Sequence, residues 1–108
     1  METATALDTR PADPQVIIDQ IGRMTVMAIS GGRAEVVMSE TEFPYRDGLR
    51  LPVSNGYRVE IRLMANDTYN VRRIFRRGSK EWVKAEWTEV YCDQVSDVAY
   101  EASCFRNV

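Results

Sequence analysis

The chain reads as an α+β domain: a short N-terminal helix, an antiparallel meander of about five or six strands, and a C-terminal amphipathic helix packed on one sheet face. Three observations predict it. Residues 57–63 alternate Tyr57, Val59, Ile61 and Leu63 against Arg58, Glu60 and Arg62, the period of a strand with one buried face. Asn55-Gly56 just before them tolerates the positive φ angles of a type I′ hairpin. From Tyr91 the period changes to that of a helix, with Tyr91, Val95, Val98, Ala102 and Phe105 on one stripe.

Length and composition agree with one such domain. At 108 residues the chain can bury a core without disulfides or metal, and 44% hydrophobic with 28% charged residues lies far from the composition of disordered chains. Residues 1–12 are small, polar and aperiodic, so they are expected to form a flexible arm, and residues 13–108 a single domain. Asp13 is placed to cap a helix, Pro14 to occupy its first position and Gly22 to stop it. Ile17, Ile18 and Ile21 form its apolar face, and at two turns it must dock to be stable.

Arg23 to Ser30 carries apolar residues on both faces and is bounded by Ser30-Gly31-Gly32, which predicts a largely buried strand and a turn. Ala34 to Ser39 reads as a second strand, and Glu40 to Gly48, with Pro44 and Asp47-Gly48, as a loop. Leu49 to Ser54 contains Pro52, which cannot donate to a ladder and so favours a sheet edge. After the 57–63 strand, Ala65 to Thr68 is a polar turn, Tyr69 to Arg76 a strand, Arg77 to Ser79 a turn and Lys80 to Trp87 the last strand. Trp82 and Trp87 are an odd number of positions apart, so a regular strand sends them to opposite faces, one into the core and one onto an exposed patch.

The charges are unevenly distributed. Between Arg58 and Lys84 eight basic residues face three acids, whereas Glu86 to Glu101 holds five acids and no base. One interpretation makes Arg72, Arg73, Arg76 and Arg77, with Phe75 and Trp82, a phosphate-binding and base-stacking surface on the exposed sheet face. The plainer one has the arginine strands neutralising the helix row Asp93, Asp97 and Glu101, or both rows solvated. Asp67, Thr68 and Tyr69 form either a ligand-contacting turn or, more simply, a turn whose Asp or Thr side chain satisfies nearby backbone while the Tyr ring packs beside the strand. Tyr91, Asp93 and Gln94 open the C-terminal helix, where a carboxylate meets the positive end of the helix dipole.

Enzymatic chemistry lacks its usual groups. There is no histidine to serve as general base or to activate a nucleophile. Two cysteines without histidine cannot complete the common zinc sets, Asp67, Glu86 and Asp93 lack a recognised Mg²⁺ spacing, and no glycine-rich phosphate loop is present. No catalytic residue, metal or cofactor is therefore expected. Apolar runs of three or four residues exclude a membrane-spanning helix, and Met1 to Leu7 lacks the features of a secretory leader, so a cytoplasmic location is expected. Cys92 and Cys104, about 18 Å apart along a continuous helix, should be free thiols, which suits a reducing compartment.

Several short stretches carry a resemblance. Gln20-Ile21-Gly22 precedes Met27-Ala28-Ile29-Ser30-Gly31; Arg58-Val59 and Leu63 lead to Asp67-Thr68-Tyr69 and Val71; Ala85-Glu86 lead to Val90-Tyr91 and Asp93-Gln94-Val95. In these the chain resembles a family of small hypothetical proteins encoded by bacteriophages, prophages and related mobile elements, over most of its length after residue 20. It departs from the family where Ser103-Cys104-Phe105 replaces a Thr-Gly-Leu type ending. The resemblance implies an accessory role in the bacterial host's cytoplasm. The resulting expectation is a non-enzymatic protein that binds a host or element-encoded protein, inhibition of a host system being a special case. A nucleic-acid binder using the arginine strands is the alternative, and a minor virion component a third. Homo-oligomers are open too, since a sheet edge can pair with its own copy.

Overall fold

The computed structural model describes residues 8–104. Its element order is α1 (Pro14–Ile21), α2 (Arg23–Ser30), β1 (Glu35–Met38), β2 (Arg46–Pro52), β3 (Tyr57–Leu63), β4 (Tyr69–Arg77), β5 (Lys80–Val90) and α3 (Val95–Cys104). The strands form one antiparallel sheet in the order β1-β2-β3-β4-β5, a meander. The expected α+β architecture is present, with two N-terminal helices in place of one.

α1 follows its local signals. The Asp13 side chain accepts from Gln15 N–H at 2.9 Å, Pro14 opens the helix, and the Gly22 N–H closes it on the Ile18 carbonyl. Ile17 and Ile21 are fully buried and Ile18 packs partly against the core. Burial of such side chains contributes about 1.5–3 kcal/mol each, which is what holds a two-turn helix that would not form alone.

Arg23–Ser30 is a helix, α2, and not the strand its composition suggests. Val26, Ile29 and Ser30 face inward at helical spacing, while Met24, Met27 and Ala28 lie on the solvent side, so apolar residues occupy both faces and mimic a buried strand. Gly31 ends the helix in the left-handed conformation, its N–H on the Met27 carbonyl.

The second departure lies in β2, which begins at Arg46 and takes in Asp47 and Gly48, expected in a loop. Nor is β2 an edge: it runs between β1 and β3. Pro52 is tolerated because β1 ends at the Glu35↔Arg50 pair, leaving no ladder for Pro52 to interrupt on that side. Gly48 is required by a close approach, since a Cβ there would sit 2.2 Å from the Ile61 carbonyl oxygen. Asn55 and Gly56 adopt φ of 61° and 85°, the type I′ turn between β2 and β3.

All three helices contribute to a single core with one sheet face, which presents Leu49, Leu51, Val59, Ile61, Tyr69 and Val71. α1 and α2 contact β2, while α3 lies across β3, β4 and β5. α3 starts at Val95, later than the expected Tyr91: Tyr91 to Gln94 forms a turn in which the Gln94 N–H bonds the Tyr91 carbonyl and the Gln94 side chain accepts from the Tyr91 N–H. Cys92 thus lies ahead of the helix, and it and Cys104 are free and exposed. Val95, Ala99 and Ala102 form the buried stripe, with Val98 partly covered; Phe105 lies outside the described residues.

Residues 8–12, expected in a flexible arm, are hydrogen-bonded to the sheet. Thr9 bridges Met64, Arg10 N–H bonds the Leu63 carbonyl, and Ala12 N–H bonds the Arg46 carbonyl. The rest of the arm, residues 1–7, lies outside the described residues. No helix among the described residues is long and apolar enough to cross a membrane.

Candidate interaction surface

The register of β3 and β4 sorts the charged residues onto two faces. Tyr57, Val59, Ile61 and Leu63 stand opposite Phe75, Arg73, Val71 and Tyr69 on the helix side; Arg58, Glu60 and Arg62 stand opposite Ile74, Arg72 and Asn70 on the far side, where no helix packs. The alternation predicted a wet far face. Instead Glu60, Arg62, Asn70, Arg72 and Ile74 are buried, because paired long side chains cover one another and the apolar Ile74 between them.

The far face is an ion-pair lattice. Arg50 Nε bonds Glu60 Oε2 at 2.8 Å while its terminal nitrogens hold both oxygens of Glu81 at 2.8 and 3.1 Å, a fork matched to a carboxylate. Arg62 Nε lies 3.6 Å from Asp47 Oδ1 and 3.7 Å from Glu60 Oε1, and Arg72 Nε bonds Glu86 at 2.8 Å. Arg58 approaches Glu35 at 3.9 Å. Glu35, Asp47 and Glu86 all come from outside residues 58–84, so three of the eight basic residues of that stretch, Arg58, Arg62 and Arg72, find carboxylates that lie elsewhere in the chain.

These neighbours set the acidities. The hydrogen bond from Arg50 holds the Glu81 carboxyl below its usual range. Burial pushes Asp47 up, against the opposing pull of its Thr9 hydrogen bond and of Arg62. Burial also raises Tyr69, whose hydroxyl bonds the Gln20 side chain.

The four arginines singled out from the sequence do not form one surface. Arg72 is buried on the far face. Arg73 is on the helix face, donating to the Ala102 and Ser103 carbonyls at 2.7 and 2.9 Å, with its guanidinium 4.1 Å above the Tyr57 ring. It closes the C-terminal end of α3, where unpaired carbonyls carry negative character. Arg76 and Arg77 are exposed near the β4–β5 turn, Arg76 Nε reaching the Gly78 carbonyl at 3.3 Å.

The tryptophans contradict the parity rule. Between Val83 and Ala85 the partner strand advances only from Ile74 to Arg73, so Lys84 is an extra residue, a β-bulge that reverses the alternation. Trp82 and Trp87 therefore share the helix face, and both are half-buried. Trp82 stacks on Phe75 at 5.8 Å, and Phe75 meets Tyr57 at 4.9 Å with the rings tilted by 49°, a ladder across three strands. Arg73 thus covers the Tyr57 ring and Phe75 lies between two rings, so these aromatics contact one another within the protein.

The Asp67 turn is structural in its contacts. Asp67 has φ of 68° and pairs with Arg10, and it is Asn66, not Asp67 or Thr68, whose side chain accepts from the Thr68 N–H and hydroxyl. Asp93, ahead of α3, and Asp97 and Glu101 within it are exposed and form no ion pair among the described residues; of the β3 and β4 arginines, Arg58, Arg62 and Arg72 pair with carboxylates on the far face instead. Asp97 and Glu101 help line an open groove of about 530 Å³ between α2 and α3, together with Thr25 and Ser96, whose hydroxyls lie 2.8 Å apart. Among the described residues no group of three His, Cys, Asp or Glu is arranged to hold a metal.

The feature missed in the sequence is the outer stripe of α2. Met24 is 86% exposed and Met27 60%, with Ala28 beside them at the i, i+3, i+4 spacing of one helix face. Its signal was the spacing of Val26 and Ile29, which leaves the methionines on the opposite side once the segment is a helix. No protein-family model matches this chain, and neither a curated protein nor a solved structure matches it.

Proposed function

We propose that the chain is a non-enzymatic accessory protein of a phage or mobile element, acting in the host cytoplasm by binding another protein. The observation that carries the reading is the Met24, Met27 and Ala28 stripe: flexible, polarisable side chains on a solvent-facing helix surface, of the kind adaptable partner surfaces use. Two free exposed thiols suit a reducing compartment. The sequence resemblance supplies the mobile-element context.

The test is capture from bacterial lysate by tagged protein, with nuclease and at two salt concentrations, followed by reconstitution from purified components. A discrete protein that binds the intact chain and not Met24→Glu with Met27→Glu supports the reading. Binding unaffected by that double change overturns it.

One observation favours nucleic acid as a second reading. Arg77 and Lys80 face each other across the β4–β5 turn, two like charges with no carboxylate paired to them among the described residues. A phosphate would relieve that opposition. Binding to a labelled single strand that falls steeply with salt and is lost in Arg77→Ala with Lys80→Ala supports this reading; no binding at low salt removes it.

A further inference from the structure

The two edges of the sheet are treated differently by the sequence. β5, the long edge, carries the Lys84 bulge, and a second irregularity near Glu89, whose φ is 52°, interrupts it again before Val90. Its side chains include Lys80, Glu81, Lys84, Glu86 and Glu89. Bulges and charges are the ordinary means of keeping an edge from pairing with another chain.

β1, the other edge, is guarded only by its shortness, by the single charge Glu35 at its start and by the Arg62 side chain, which donates to the Met38 carbonyl at 3.1 Å. It reads Glu-Val-Val-Met, the extra residue at its only irregularity belongs to β2 (Asp47), and Val36 and Met38 are each about half exposed. Among the described residues no strand pairs with its outer side.

We propose that β1 is a self-association edge, pairing antiparallel with β1 of a second copy about a two-fold axis at Val37. A two-fold antiparallel pair must place one residue opposite itself, because directly opposed pairs alternate in hydrogen-bonding type along the ladder. Centring on Val37 sets Val37 against its own copy and Val36 against Met38 twice over, apolar against apolar on both faces. Glu35 then meets Ser39, so no like charges are opposed. A partner strand of unrelated sequence has no reason to match this pattern, whereas β1 matches itself. The two five-stranded sheets join into one continuous sheet across the axis.

Four paired residues alone fall well short of the roughly 1,200–2,000 Å² of a standard stable interface. Phe43, 82% exposed in the loop that leaves β1, offers further apolar area beside the edge. The dimer is therefore concentration-dependent. It is independent of the partner-binding stripe on α2.

Sedimentation velocity on the full chain over a concentration series tests it, together with disulfide trapping. The dimer fraction should rise with concentration and disappear in Val36→Lys with Met38→Lys, changes at half-exposed positions whose folding is checked by circular dichroism. With Cys92→Ser and Cys104→Ser as background, Val37→Cys should give a covalent dimer under a mild thiol oxidant, since directly opposed residues lie within disulfide reach. Val83→Cys on β5 should not. A monomer at every concentration, a dimer indifferent to the lysine pair, or trapping at Val83→Cys in place of Val37→Cys overturns the proposal.

Discussion

Arg50 and Glu60 meet at 2.8 Å across β2 and β3 on the sheet face that carries no helix, and the Glu60 side chain is only 3% exposed. A carboxylate so placed depends on its partner, since the cost of removing it from water returns once the cation is gone. Arg50→Met is expected to destabilise the fold by about 3–5 kcal/mol, read from the urea midpoint. Arg50→Met with Glu60→Leu should recover most of that loss, because replacing both members of a buried pair by apolar groups is often neutral. A loss in the double variant equal to the sum of the losses in Arg50→Met and Glu60→Leu would show that the pair is not coupled.

The pH dependence has two parts of opposite sign. Glu81 titrates low in the folded protein because of Arg50, so its contribution is present above the unfolded carboxyl range and is lost as pH falls through the folded value. Asp47 titrates high because of burial, so its contribution is present below the unfolded range and is lost as pH rises through the folded value. A carbon-detected NMR titration should find the Glu81 midpoint below and the Asp47 midpoint above those of exposed Glu and Asp in the same chain. Asp47→Asn should make stability less sensitive to rising pH just above the ordinary carboxyl range. The reverse order of midpoints would contradict the burial argument.

Arg73 ties the C-terminal end of α3 to the sheet through two carbonyls and the Tyr57 ring. Hydrogen bonds from a charged donor contribute about 1.5–3 kcal/mol and a cation–π contact about 0.5–1 kcal/mol at an exposed site, not additively. Arg73→Ala should therefore cost roughly 2–3 kcal/mol. The loss should be local, with amide exchange accelerating first in the last turn of α3. Arg77→Ala, at an exposed site without such contacts, should change stability by less than about 0.5 kcal/mol. A similar loss for both would remove the capping role.

What was legible depended on the range of the interactions that decide it. The Asp13–Pro14 start, the Gly22 stop and the Asn55-Gly56 hairpin are set within a few residues, and each is present. The α3 stripe is local too, from Val95 to Ala102. α2 is not legible as a helix because its outer face is apolar too, which hides the helical period that Val26 and Ile29 carry. The far face was expected to be wet because Arg58, Glu60 and Arg62 are charged; nothing near them in the chain says that Arg50 and Asp47 arrive to pair with them. For the candidate site, parity already separates Arg72 from Arg73, but their partners Glu86 and the end of α3 are long-range facts.

The shared face of Trp82 and Trp87 carries a prediction of its own. Trp82 and Trp87 share a face only because Lys84 is an extra residue in the ladder, so Val83 and Ala85 already occupy the positions of consecutive residues opposite Ile74 and Arg73. Deleting Lys84 should consequently leave the pairing intact and turn an irregular strand into a regular one. Trp82 should remain stacked on Phe75, with its fluorescence maximum and near-ultraviolet circular dichroism preserved. Deleting Glu60 from unbulged β3 is the contrast, since every side chain beyond it must change face and the fold should be lost. The Lys84 deletion also removes a guard from the β5 edge, so it should fold yet associate more readily at high concentration. Collapse of the Lys84 deletion to the level of the Glu60 deletion would show that the bulge is required for the strand's twist and not merely accommodated.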